Sequence, residues 1–81
     1  MIKVTFKNNG GGKLVDIVDK DTTIKEFLDD HSIDYSTGIV TLGSVPLYGA
    51  DFNQTFAEMG YSDEEGKNAC WISNIARKDN A

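Results

Sequence analysis

Two strand-like runs around a glycine turn, then one capped helix, then further strand-like runs, all follow one another within 81 residues. That order admits few compact folds. Ile2, Val4 and Phe6 alternate with Lys3, Thr5 and Lys7, the period of a half-buried strand. Asn8-Asn9-Gly10-Gly11-Gly12 ends the run. Asn9-Gly10 suits the positive φ of a hairpin turn, and the extra glycines predict a longer, mobile loop. Residues 13–19 read as the partner strand. Val15 and Ile17 mark one of its faces and Leu14 and Val18 the other, so alternation leaves the register open.

Asp21-Thr22-Thr23 supplies capping side chains, and Thr23 with Glu26 fits a capping box. Ile24, Phe27, Leu28 and His31 recur at helical spacing and predict a short helix over 23–31 that must be held by packing. A connection through Ile33 and Tyr35 ends at Thr37-Gly38. Residues 39–42 read as a strand, Gly43-Ser44 as a turn, and Val45-Pro46-Leu47 as a short edge strand, where proline is tolerated. From Asp51 to Met59 the pattern is helical again, with Phe52, Phe56 and Met59 on one side and Gly60 placed to end it. Ser62 to Asn68 reads as an acidic, flexible loop. Residues 69–76 form the last strand, with Cys70, Ile72 and Asn74 on one face and Trp71, Ser73 and Ile75 on the other; 77–81 is a polar tail.

The length fits a single domain over 1–81, one that buries about 60% of its unfolded surface. A hydrophobic fraction of 40% is that of a folding chain. The net charge of −5 excludes nucleic acid as a partner, since the basic residues are scattered along the sequence. One cysteine allows no internal disulfide and fits a reducing compartment. No run is apolar enough to span a membrane, and the expected location is the cytoplasm. No cofactor or metal is expected: Asp29, Asp30, His31 and Asp34 would point around a helix and not toward one ion. Gly10-Gly11-Gly12-Lys13 lacks the following Ser or Thr of a phosphate loop and precedes a strand. Cys70 reads as a packing residue and Asp63-Glu64-Glu65 as a solvated run. An enzyme is not expected.

In element order and spacing the chain resembles the β-grasp fold of ubiquitin and of the sulfur carriers of thiamin and molybdopterin synthesis. Ile2–Phe6 and its glycine turn resemble the opening hairpin, Thr23–His31 the grasped helix, and Ile39–Leu47 the third strand with its edge partner. Thr55–Tyr61 resembles the short turn before the final strand. The resemblance implies an α+β fold: a mixed sheet of four or five strands on one main helix, with a short second helix. Conjugating and sulfur-carrying relatives act through a C-terminal Gly-Gly, whereas this chain ends Arg77-Lys78-Asp79-Asn80-Ala81 with no glycine after Gly66. The resemblance therefore implies a non-catalytic, monomeric module that binds another protein through its open sheet face. A degenerate sulfur or acyl carrier serving an activating enzyme is the alternative. Eight aromatic side chains exceed what so small a core holds, and Trp and Tyr are favoured anchors. Trp71, Ser73 and Tyr48 are the candidate contact residues, with Trp71 expected beside Lys3, Thr5 and either Thr41 or Val40.

Overall fold

The computed structural model describes residues 1–8, 12–36 and 38–75. Asn9, Gly10 and Gly11, Thr37, Ala76 at the end of the expected last strand, and the tail 77–81 lie outside them. Among the described residues five strands form one mixed sheet: β1 (Ile2–Lys7), β2 (Lys13–Val18), β3 (Ile39–Leu42), β4 (Val45–Leu47) and β5 (Ala69–Ile75), in the order β2-β1-β5-β3-β4. β1 is antiparallel to β2 and parallel to β5, and β3 is antiparallel to both β5 and β4. One helix, α1 (Ile24–Asp30), packs on one face. A hairpin, a grasped helix and parallel first and last strands at the centre make an α+β fold of β-grasp type.

Alternation decides which side chains meet α1. Ile2, Val4 and Phe6 of β1, Cys70 and Ile72 of β5, Val40 and Leu42 of β3, Leu47 of β4 and Val18 of β2 are buried against Ile24, Phe27 and Leu28 of the helix. The register of β2, open in the sequence, is settled with Val18 inward and Val15 and Ile17 outward. Phe27 and Phe56 are fully buried and meet edge to face, with ring centroids 6.3 Å apart.

The N-terminal end of α1 is built as the sequence implies. The Thr23 side chain accepts from the Glu26 amide at 3.0 Å, and the Glu26 carboxylate accepts from the Thr23 amide at 3.0 Å. Lys25 and Asp29 form an ion pair one turn apart at 2.6 Å. His31 is the C-cap, and the chain leaves through Ser32 at φ 55, with the Ile33 amide donating to the Leu28 carbonyl at 2.9 Å. This six-to-one closure normally employs glycine.

The single helix predicted from Asp51 to Met59 is two separate turns. A 3₁₀ turn spans Gly49–Asn53. The backbone then extends at Gln54 and Thr55, because these groups serve the start of α1: the Ile24 amide donates to the Gln54 carbonyl, and Thr55 bridges Thr23. A second turn follows, with its own reciprocal Thr55–Glu58 cap. It ends at Gly60, φ 102, where the Tyr61 amide donates to the Phe56 carbonyl at 3.0 Å. Phe52, Phe56 and Met59 all reach the core, but from two turns.

Thr23→Ala removes one half of the capping box and is expected to cost about 1 kcal/mol. In a circular-dichroism melt that loss lowers Tm by about 4–8 °C. Ser32→Gly moves Tm upward, because it relieves about 1 kcal/mol of left-handed strain against about 0.5 kcal/mol of added unfolded-state entropy.

Candidate functional site

The helix covers one face of the sheet and leaves the other open. Register places the open-face side chains in rows across the strands. Thr5 pairs with Val15 on one side and Trp71 on the other, so Val15, Thr5 and Trp71 form one row. The neighbouring row toward the start of β1 is Ile17, Lys3 and Ala69. On the other side of the Val15–Thr5–Trp71 row is the row Lys13, Lys7, Ser73, Thr41 and Pro46. Val15, Ile17 and Trp71 are 47%, 59% and 49% exposed, so apolar surface flanks β1 on both sides, from β2 and from β5. Thr5, between Val15 and Trp71, is buried even though its face is open.

Charge on this face is one-sided. Lys3, Lys7 and Lys13 all project there, although they are far from clustered in the sequence, and no strand position on the face carries an acid. Asp16 is the one acidic residue in the five strands, and it lies on the helix side. Lys7 and Lys13 stand directly opposite each other across β1 and β2. Like charges in that position destabilise a strand pair. Lys13 reaches diagonally across β1 so that its Nζ lies 5.4 Å from the Trp71 ring centroid. At an exposed site such a contact contributes about 0.5–1 kcal/mol. Lys25 and Lys67 are paired with Asp29 and Glu64, whereas among the described residues no ion pair involves Lys3, Lys7 or Lys13.

Trp71 and Ser73 therefore share this face, two positions apart on β5, with Lys3, Thr5 and Thr41; Val40 is in the core. Tyr48 is exposed but stands beyond the β4 edge, and the structure does not bring it to Trp71. Two inter-strand spacings separate them laterally, about 10 Å. Tyr48 instead borders a shallow groove with Tyr35 and Phe52, whose rings stack at 5.0 Å. Lys3 and Thr5 stand beside Trp71 as the sequence reading expects, whereas Val15, Ile17, Lys7 and Lys13 are face residues that it missed. The pairing of Lys7 with Lys13 across the hairpin was the available signal.

The remaining titratable groups lie elsewhere. His31 Nε2 is 2.8 Å from Asp16 Oδ2, and since a carboxylate only accepts, the imidazole donates. The His31 ring also packs on Phe27 at 4.8 Å. The histidine's partner thus comes from β2 and not from the neighbouring Asp29, Asp30 or Asp34. Cys70 is buried in the core, and burial pushes its thiol up to about 12. Asp63 takes the Met1 amino group and Glu64 lies 3.7 Å from Lys67. Among the described residues no three His, Cys, Asp or Glu side chains converge on a point that could hold a metal ion. No described helix is long and apolar enough to cross a membrane.

In structure the chain is similar to a ubiquitin-like protein from the hyperthermophilic archaeon Caldiarchaeum subterraneum. The TM-score is 0.54 at 17% identity, over 96% of this chain and 99% of that one. No family model and no curated protein matches the sequence. The likeness shows the fold: a ubiquitin-like β-grasp.

The hydrogen bond from His31, followed by that from the Ile17 amide, holds the Asp16 carboxyl below the usual carboxylate range. A lowered folded-state value contributes stability that is present above the unfolded value of about 3.9 and lost as pH falls through the folded one. Urea denaturation should accordingly find wild type more stable than Asp16→Asn at neutral pH. The gap is expected to close as pH falls below about 4.

Proposed function

We propose that this chain is a non-catalytic ubiquitin-like module that binds another protein, as a monomer, through the open face of its sheet. One observation carries the reading: Trp71, the chain's single tryptophan, is half-exposed at the middle of that face, in register with exposed Val15. The core on the helix side is complete without it, so the indole is not there to fill a packing gap. A rigid, partly dehydrated aromatic among small and aliphatic neighbours is the surface that protein interfaces use as an anchor. Ser73, on the adjacent row, offers a hydroxyl at its margin, and Tyr48 gives a second, peripheral contact. Cys70, the side chain best suited to nucleophilic work, is buried in the core with its thiol pushed up to about 12, which favours the non-catalytic reading. The proposed setting is the cytoplasm, where a lone thiol stays reduced.

Trp71→Ala tests the reading. The variant is expected to remain folded, with a stability change of about 1 kcal/mol or less. Tagged wild type, Trp71→Ala and Tyr48→Ala are compared by quantitative mass spectrometry of what each retains from a native lysate after a mild wash. Partners of the wild type should fall away from Trp71→Ala and weaken less with Tyr48→Ala. Unfolding of Trp71→Ala, or an unchanged partner set, sinks the assignment. A partner that survives a denaturing wash would mean covalent attachment and also overturn it.

A further inference from the structure

Resting on the docking reading above, we infer that the open face takes an acidic segment of its partner, a stretch of Asp or Glu side chains around an aliphatic or aromatic one. The apolar residue would sit on the Val15–Thr5–Trp71 row. Lys3 lies in the row on one side of it, and Lys7 and Lys13 lie in the row on the other. The lysines thus bracket the apolar row, with no acid at the strand positions of the face to neutralise them. Lys7 opposite Lys13 costs stability in the free protein, and a carboxylate placed between them reverses the sign of that interaction. The Lys13 ammonium over the Trp71 ring joins the charged and apolar parts into one surface.

The same charges favour a peptide segment over a nucleic acid or an anionic membrane. A long polyanion reaches past the open face and meets the rest of a surface whose net charge is −5, whereas screening over about 8–10 Å limits what a short segment feels to the charges close to it. A short segment confined to the open face feels chiefly the three lysines. Exposed Val15 and Ile17 offer aliphatic side chains a dry contact that a phosphate backbone does not use.

The test is selection from a random dodecapeptide library displayed on phage. Targets are wild type, the Lys3→Glu/Lys7→Glu/Lys13→Glu variant and the milder Lys7→Gln/Lys13→Gln variant, each shown folded by circular dichroism. Wild type is expected to enrich peptides that combine Asp or Glu with one or two large apolar residues, and the charge-reversed variant to enrich basic ones. Binding of a selected peptide, followed by fluorescence anisotropy, should weaken about three- to tenfold in Lys7→Gln/Lys13→Gln. It should also weaken toward about 1 M salt, where the screening length is about 3 Å.

Enrichment of neutral or basic peptides by wild type overturns the acidic partner. The docking face itself survives that result if the same peptides lose affinity for Trp71→Ala. Peptides that bind Trp71→Ala as well as wild type overturn both readings. Trp71 emission provides a second readout, since it is the only tryptophan in the chain. A stronger emission shift with oligothymidylate or phosphatidylserine vesicles than with the selected acidic peptide would assign the face to a polyanion and overturn the inference. No enrichment over a blank support overturns it as well.

Discussion

The parallel pairing of β1 with β5 holds the two faces of this molecule in place. Val4 against Cys70 and Phe6 against Ile72 send four side chains into the core, while Thr5 against Trp71 sends the intervening pair to the other face. Parallel neighbours cannot be joined by a tight turn, so the crossover between them carries β2, α1, β3 and β4. Closing so long a loop costs entropy before any contact is made. The large apolar burial around Ile2, Val4 and Ile72 offsets that cost. A slip of one residue in this ladder would drive Trp71 into the helix and expel Ile72. Fold and open face therefore stand on the same register.

The helix is a second dependency. Seven residues are too few for a stable isolated helix, even with a complete capping box. α1 is held from outside by the segment that follows β4, whose Gln54 carbonyl accepts the Ile24 amide and whose Phe56 amide donates back to the Thr22 carbonyl. Phe56 itself is buried under Phe27. These long-range backbone bonds explain why the stretch from Asp51 to Met59 does not run as one helix. Its middle is extended because it serves as a strand-like brace for another element.

This contrast marks what the sequence could convey. Local rules that one segment satisfies by itself were legible: the alternation of β1, the Thr23–Glu26 box, Pro46 in the edge strand, and Gly60 closing a turn. Features that need two distant segments were not. β2 has apolar side chains on both faces, and only its pairing with β1 decides that Val18 is inward and Val15 and Ile17 outward. Lys3, Lys7 and Lys13 look scattered until the hairpin register brings them to one side. His31 looks like a partner for the aspartates beside it, and finds Asp16 across the core edge instead. Trp71 was placeable on the open face only by taking Ile72 as core, since neighbours on a strand face opposite ways and Cys70-Trp71-Ile72 are all apolar.

One physical account of the open-face lysines competes with recognition. Edge strands often carry lysine to prevent pairing with another chain. Lys13 fits that account, since β2 is an edge strand, and Pro46 blunts the opposite edge in the same way. Lys3 and Lys7 do not fit it. They lie on β1, which is paired on both sides and has no free backbone edge to protect. Lys7 also stands opposite Lys13, where an uncharged polar residue would keep the face soluble without the repulsion. The strand pair thus keeps a locally unfavourable arrangement beside an exposed tryptophan and two exposed aliphatic residues. Departures from local stability of this kind concentrate where a surface serves a second molecule, and here they share one face, opposite a core that is already closed.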